Sequence, residues 1–224
     1  MHVLDQPIWN ALQTRQARWA EGGALARRFP PAMTTLGALR EPSIEAFDAL
    51  AALQQPGEAT ALLFPEAVGP PPGWEVIRSF LLPQFIHVGD VPAPPKIEPE
   101  ALGDSDSPAM YELARLTKPG PFGLRTYQLG GYYGVYRAGR LAAMAGERLQ
   151  LPGYTEVSAV CTHPDFAGQG LAAGLVATVA GRIRARGETP FLHVVAENTR
   201  AIALYERLGF RRRREIPMLV VRRR

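Results

Sequence analysis

The chain has 224 residues, of which 46% are hydrophobic and 21% charged, and its formal net charge is +4. No apolar run approaches the ~20 residues of a membrane-spanning helix, and the N-terminus lacks the basic and apolar regions of a signal peptide. The single cysteine, Cys161, excludes an internal disulfide and a cysteine-rich metal site. We therefore expect a cytoplasmic protein of one large domain or two modest ones, with no membrane partner and no bound metal.

The first part of the chain, residues 1–95, contains predicted elements but no motif that carries chemistry. The sequence predicts helices over Trp9–Ala20 and Ser43–Leu53, short strands over Ala59–Phe64 and Gln84–Val88, a turn or stiff spacer at Gly69–Gly73 and an extended linker at Pro92–Pro95. Ser43 suits an N-cap, and Ile44, Phe47 and Leu50 fall on one helical face. We treat residues 1–95 as an N-terminal α/β extension or partial domain.

The second part, residues 96–224, predicts a mixed α/β sheet. It begins with a helix from Pro108 to Thr117, a loop at Lys118–Gly123, a hairpin of Tyr132–Arg137 and Arg140–Leu149, and a strand over Tyr154–Thr162. A helix with Leu171, Leu175, Val179 and Ile183 on one stripe follows, then a buried strand over Phe191–Ala196, a helix from Asn198 to Gly209, and a final strand pair.

The arginine runs Arg211–Arg214 and Arg222–Arg224 are interpreted as strand edges and a turn. A polyanion-binding or coenzyme-phosphate role is the alternative.

A glycine loop follows the strand that ends at His163-Pro164. Pro164 cannot donate to a sheet ladder, and Gly168 and Gly170 allow the backbone to approach a ligand closely. The helix that begins after the loop has unpaired amides and the positive end of its dipole, which together favour phosphate. The strand, loop and helix therefore indicate a pyrophosphate site, although the two glycines alone also fit a tight turn.

A second block, Glu197–Phe210, follows after one helix and one strand, and the two blocks together resemble the acetyl-coenzyme A-binding core of the GNAT superfamily of acetyltransferases. The order of elements also matches, so the resemblance implies a mostly antiparallel central sheet flanked by helices. It further implies that acetyl-coenzyme A is the co-substrate and that a set of residues contacts it. These are Val160, Cys161 and Thr162 on the pantetheine arm, Gly168, Gln169, Gly170, Leu171 and Ala172 on the pyrophosphate, Asn198 and Tyr205 near the thioester, and Ala201 of the same block. Ala167 departs from the family, which usually has Arg or Gln there, so one side-chain contact to the coenzyme is lost.

The resemblance implies direct attack of an amine on the thioester in a ternary complex. Tyr205 is the candidate acid for the leaving thiolate; the alternative is a core tyrosine, since Ala201, Tyr205 and Leu208 share a helical face. Glu156 is the candidate base, because a carboxylate buried in an apolar strand needs either an ion-pair partner or a catalytic role. Alternation along the strand places it on the same face as Val160 unless a bulge intervenes. The alternative for Glu156 is an exposed strand start.

Three further residues are predicted to be structural. His163 shapes the turn before the glycine loop, and His193 is a core histidine with a base role as the alternative. Cys161 faces away from Val160 as a small core residue.

The predicted function is N-acetylation of a primary amine, on a small molecule or a peptide, by a monomer or homodimer that binds no nucleic acid. A catalytically silent acyl-coenzyme A sensor and a nucleic-acid-binding protein are the alternatives. Because all motifs lie after residue 95, we expect the first part to pack on the second and to shape the acceptor site; a tethered module with its own partner is the alternative.

Overall fold

A computed structural model describes residues 2–89 and 97–224. The predicted linker Pro92–Pro95 lies outside the described residues. Within them, none of the helices is long and apolar enough to cross a membrane.

The described residues form one mixed sheet of eleven strands. In chain order these are β1 (Glu21–Gly22), β2 (Ala26–Arg28), β3 (Leu36–Leu39), β4 (Ala59–Leu63), β5 (Trp74–His87), β6 (Glu100–Leu102), β7 (Tyr132–Arg137), β8 (Arg140–Leu151), β9 (Tyr154–Thr162), β10 (Thr189–His193) and β11 (Phe210–Arg223). Their order across the sheet is β1-β2-β3-β4-β11-β5-β10-β9-β8-β7-β6, and only the β3–β4 and β9–β10 pairs are parallel. The predicted fold class, a mixed and mostly antiparallel sheet, is confirmed.

Helices cover both faces of this sheet. Those in the described residues are α1 (Pro7–Gln13), α2 (Ile44–Ala51), α3 (Ser107–Thr117), α4 (Leu171–Ala185) and α5 (Thr199–Arg207). Neighbouring residues of β10 show the two faces: Leu192 packs in the cluster that contains α4, whereas Phe191 packs with α1. The predicted helix over Trp9–Ala20 is instead the short α1 and a separate 3-10 turn at Ala17–Trp19.

The first part of the chain supplies an interior strand to the sheet. β5 lies between β10 and β11 and is antiparallel to both. It has 14 residues, where the sequence predicts a short strand over Gln84–Val88. The prediction is too short because Val76 and Ile77 are exposed and the start of the strand has no apolar-polar alternation. Residues from both sides of the proposed boundary at 95 thus share one sheet, and the boundary itself stays a prediction.

The C-terminal arginine runs belong to a single strand. β11 continues through Arg211–Arg214 with a bulge between Arg212 and Arg214, so the predicted turn and strand pair are wrong. Arg213 and Arg214 both contact Asp5, at 2.6 and 3.0 Å. These two ion pairs tie the N-terminal residues to the centre of the sheet.

A bulge interrupts β9 at Ala159, whose φ is +52°. The pairing register with β8 shifts between Gly146↔Ser158 and Met144↔Cys161. As a result, Val160 packs on the α4 side together with Val157, while Cys161 packs on the α3 side. A second irregularity, between Glu147 and Gln150, adds its extra residue to β8 and leaves the alternation along β9 intact, so Glu156 faces away from Val157. The expectation that Glu156 shares a face with Val160 is wrong because the bulge reverses the alternation.

Candidate active site

The strands β9 and β10 separate to form a fork. They pair in parallel only from Thr189↔Tyr154 to Phe191↔Glu156. Beyond that point β10 follows β5, with Leu192 opposite Phe85, while β9 continues along β8. Residues of β9 after Glu156 therefore lose their partner on one edge, and a cavity of about 470 Å³ lies beside them.

The cavity brings together residues from both parts of the chain. Ser158, Val160, Asn198 and Tyr205 line it from the second part, with the loop at residues 118–121. The first part supplies a mostly apolar wall from β3, the residue before it, β4 and β5, formed by Thr35, Leu36, Ala61, Leu63, Arg78, Phe80 and Leu82. The predicted contact residues Cys161 and Thr162 lie further along β9 and do not line this cavity.

The two glycines of the loop adopt the left-handed backbone conformation that favours glycine. Gly168 and Gly170 have φ values of +81° and +75°, and a Cβ at either position would contact no other atom within 4 Å. The loop is exposed, and α4 begins at Leu171 with Gly170 as its N-cap. The first amides of α4, including Ala172, have no partner within the helix and are available to a bound anion.

His163 shapes the entry to this loop. Its Nδ1 accepts a hydrogen bond from the Asp165 amide at 3.2 Å and caps the 3-10 turn at Pro164–Phe166. Arg140 lies beside it, with Nη2 2.8 Å from His163 Nε2 and Nη1 3.0 Å from Asp165. The turn-forming interpretation of His163 agrees with this geometry.

Asn198 and Tyr205 reach the cavity from α5. The Asn198 side chain caps the helix by accepting a hydrogen bond from the Ala201 amide at 3.1 Å. Tyr205 is 7% exposed, and burial raises its pKa to about 12, with a smaller contribution from Cys161. Its hydroxyl therefore carries a proton at neutral pH. Cys161 is itself buried against α3, and burial raises the pKa of its thiol to about 12, so it is not a thiolate nucleophile.

Glu156 is fully buried behind the cavity. Arg148 donates to both of its carboxylate oxygens, at 2.9 and 2.8 Å, and His193 Nδ1 lies 2.7 Å from Oε1. Burial opposes ionisation of Glu156, but the charge and hydrogen bonds of Arg148, with those of His193, outweigh it and lower the pKa to about 2. Arg148 and His193 line the cavity whereas Glu156 does not. The carboxylate therefore acts on the cavity only through these two partners.

The hydrogen bonds around His193 select one neutral tautomer. Arg213 donates to the Oε1 of Gln84 at 2.8 Å, which leaves the Gln84 Nε2 as a donor to the Leu4 carbonyl at 2.9 Å and to His193 Nε2 at 3.0 Å. The Nε2 of His193 is thus an acceptor, so Nδ1 carries the proton and donates it to Glu156. His193 is a buried core histidine, as the sequence predicts, and it also lines the cavity.

The sequence prediction missed Arg148 and Gln84. The available signal was the Glu147-Arg148 pair inside an otherwise apolar strand, because charged residues there need partners when they are buried. Glu147 pairs with Arg186 at 2.9 Å, and Arg148 pairs with Glu156. Which acid meets which base could not be read from the sequence, since the partners lie on different elements.

Comparisons with known proteins agree with this architecture. The family model of FR47-like proteins matches residues 132–218. A structure from Novosphingobium aromaticivorans DSM 12444, assigned to the GNAT family as an acetyltransferase, is 43% identical over 100% of both chains, with a TM-score of 0.93. None of the curated proteins compared with the chain is significantly similar to it.

Two more distant structures share the fold across nearly the whole chain. A GCN5-related N-acetyltransferase from Kribbella flavida is 17% identical, with a TM-score of 0.64, and covers 96% of this chain and 94% of its own. A GCN5-related N-acetyltransferase-like protein from Streptococcus suis 89/1591 is 15% identical, with a TM-score of 0.65, and covers 98% and 94%. The forked, mostly antiparallel sheet is therefore the GNAT fold. The chain belongs to the GNAT family of acetyltransferases.

Proposed function

We propose that this GNAT-family protein is an N-acetyltransferase that moves an acetyl group from acetyl-coenzyme A to a primary amine, by direct attack in a ternary complex. The observation that carries this proposal is the cavity at the fork of β9 and β10. It joins Val160, Asn198 and Tyr205, which match the coenzyme-contacting positions of the family, to a separate wall from the first part of the chain. Two substrates can therefore meet in one enclosed space.

The chain fits a bound coenzyme at two places. The exposed amides from Gly168 to Ala172 would hold the pyrophosphate, and the free edge of β9 from Val157 to Val160 would hold the pantetheine arm. When bound, acetyl-coenzyme A supplies the activated acetyl group as a thioester. The side chain missing at Ala167 leaves these backbone contacts unchanged.

Tyr205 would serve as the acid. The residue lines the cavity and its hydroxyl is protonated at neutral pH, so it could give its proton to a leaving thiolate, although burial in the free protein makes it a weaker acid by raising its pKa to about 12. Asn198 has two compatible roles, as the N-cap of α5 and as a cavity residue near Tyr205.

The geometry supports His193 as the base, with Glu156 positioning it; Glu156 alone is less suited to this role. A carboxylate with a pKa of about 2 and an arginine on both oxygens is a weak proton acceptor. The Nε2 of His193 is the accepting nitrogen of the ring, and it would take the amine proton in exchange for its contact with Gln84. The imidazolium that forms would be stabilised by Glu156, which is therefore a positioning residue.

Coenzyme binding is tested by thermal unfolding of two matched variants. Acetyl-coenzyme A should raise the Tm of the wild-type protein because it binds only the folded state. Gly170→Glu should abolish this rise by placing a carboxylate where the phosphates bind. Gly153→Glu is the control, because its φ of +78° and its open surroundings match those of Gly170 at a turn remote from the loop. A full Tm rise in a folded Gly170→Glu protein would show that the pyrophosphate assignment is wrong.

A further inference from the structure

The charges that line the cavity are all of one sign. Arg78 of β5, Lys118 at the end of α3 and Arg148 of β8 line it, and no aspartate or glutamate is among its described lining residues. Glu156 lies behind Arg148 and neutralises that side chain. Arg78 and Lys118 are exposed, and neither forms an ion pair with any residue in 2–89 or 97–224. Two uncompensated cations therefore remain at the cavity.

These two cations come from different parts of the chain and are both placed by local structure. The Arg78 guanidinium lies over the Phe80 ring, 4.9 Å from its centroid, which holds the side chain along β5. Lys118 ends α3 in the left-handed conformation, with φ +50°, directly before the loop at residues 119–121 that closes the cavity. We call the part of the cavity lined by β3, β4, β5, β11 and the loop at residues 118–121 the acceptor wall; both cations belong to it, and no residue of the glycine loop does.

Apart from Thr35, the rest of the acceptor wall is apolar. Leu36, Leu63, Phe80, Leu82, Met218 and Val220 line it from β3, β4, β5 and β11. A cavity of about 470 Å³ that also admits the end of the pantetheine arm leaves room for a small acceptor only. A diamine or a lysine-rich peptide would meet like charge, whereas an anionic group would meet two free cations.

We infer that the acceptor is an amino carboxylate with an apolar side chain, such as a free aliphatic or aromatic amino acid, and that Arg78 and Lys118 bind its carboxylate. This inference rests on the proposed function for the transfer itself. The cations would contribute in a second way, because a positive environment disfavours the ammonium form of the bound amine and thereby favours the nucleophilic free amine.

The test is equilibrium binding of two product analogues to the full chain in the presence of coenzyme A. N-acetyl-leucine carries the carboxylate, and N-acetyl-leucinamide is its neutral counterpart. We expect at least tenfold tighter binding of N-acetyl-leucine by calorimetry, weakening with added salt. The double variant Arg78→Gln/Lys118→Gln should remove this preference, whereas the control Arg137→Gln, an exposed arginine of β7 outside the cavity, should keep it.

Equal affinity for the two ligands, no binding of either at millimolar concentration, or a preference that survives the double variant would overturn the inference. The experiment does not depend on turnover. A protein that prefers N-acetyl-leucine but neither binds acetyl-coenzyme A nor releases its thiol would contradict the proposed function and leave the carboxylate site standing.

Discussion

At the scale of single residues, Glu156 shows how a buried carboxylate is tolerated in an apolar strand. Its side chain is 1% exposed and is held by Arg148, with a side chain 12% exposed, and by His193, 3% exposed. Removing one partner of such a pair leaves an unpaired buried charge, which typically costs about 3–5 kcal/mol. Glu156 therefore has a structural role in addition to the positioning role proposed for it, and a change in activity alone cannot separate the two.

We predict that Glu156→Gln lowers the free energy of unfolding by about 3–5 kcal/mol at neutral pH. The folded chain binds the Glu156 proton less tightly than the unfolded chain, because the pKa falls from 4.5 to about 2 on folding. This contribution to stability is thus complete above about pH 5 and is lost as the pH falls toward 2. The Gln variant should show a shallower loss of stability over that range, measured by urea unfolding at a series of pH values.

The exposed Glu66→Gln is the control and should match the wild type. If Glu156→Gln loses less than about 1 kcal/mol and keeps the wild-type pH dependence, the ion pair does not stabilise the fold.

The residues of the candidate site could be predicted from the sequence only where a motif carries them. Gly168, Gly170, Asn198 and Tyr205 follow from two contiguous blocks whose loop and cap chemistry is local. Arg148 and His193 meet Glu156 across 8 and 37 residues, through strand pairing that no local pattern encodes. The cavity itself arises where β9 and β10 part, and the wall that we propose to bind the acceptor comes partly from strands of the first part of the chain.

At the scale of elements, β9 was predicted with the ends that it has. The turn at Pro152-Gly153 and the His163-Pro164 step bound it clearly, just as the apolar stripe and Gly187 bound α4. The bulge inside β9 has no such signal, because the residue in the left-handed conformation is Ala159 and not a glycine. Alternation alone therefore placed Glu156 and Val160 on one face, and the bulge places them on opposite faces.

The bulge gives a prediction for Ala159, which is 7% exposed and lines the cavity. Ala159→Val puts a β-branched side chain at φ +52° and adds two methyl groups to a packed site, so it should cost about 2–4 kcal/mol. It should also reduce the Tm rise produced by acetyl-coenzyme A. Ala159→Gly is the matched control and should stay within about 1 kcal/mol of the wild type with the full Tm rise. Equal stability of the Val variant would show that the strand does not need this conformation.

At the scale of the whole molecule, the first part of the chain completes the fold. β5 separates β10 from β11, and the cluster around α1 includes Leu129, Leu149 and Phe191 of the second part. The sequence could not predict this, since the pairing of β5 with β11 joins residues that are far apart along the chain. Residues before 95 contribute a wall to the cavity, and the expectation that they shape the acceptor site stays a prediction.

A chain that begins at Ile97 should therefore fail to form a stable monomer. It lacks β4 and β5, so β10 loses one of its neighbours and β11 loses both, and unpaired edges of this kind promote association. Size-exclusion chromatography and circular dichroism should show aggregation or loss of structure. A folded monomer that binds acetyl-coenzyme A and acetylates the acceptor with unchanged kcat and KM would contradict the assignment of an acceptor wall to the first part.

The most direct measurement is the release of free thiol from acetyl-coenzyme A by the full chain, with a panel of amines that includes apolar amino acids. We predict amine-dependent thiol release with an equal amount of amide product. Tyr205→Phe should lower it by ~10²–10⁴, the usual contribution of a positioned acid. Tyr132→Phe is the control: Tyr132 is also buried, its hydroxyl has no hydrogen-bond partner among the described residues, and it does not line the cavity, so the rate should be unchanged. Tight binding of acetyl-coenzyme A without amine-dependent thiol release from any amine would contradict the account and identify a silent coenzyme sensor.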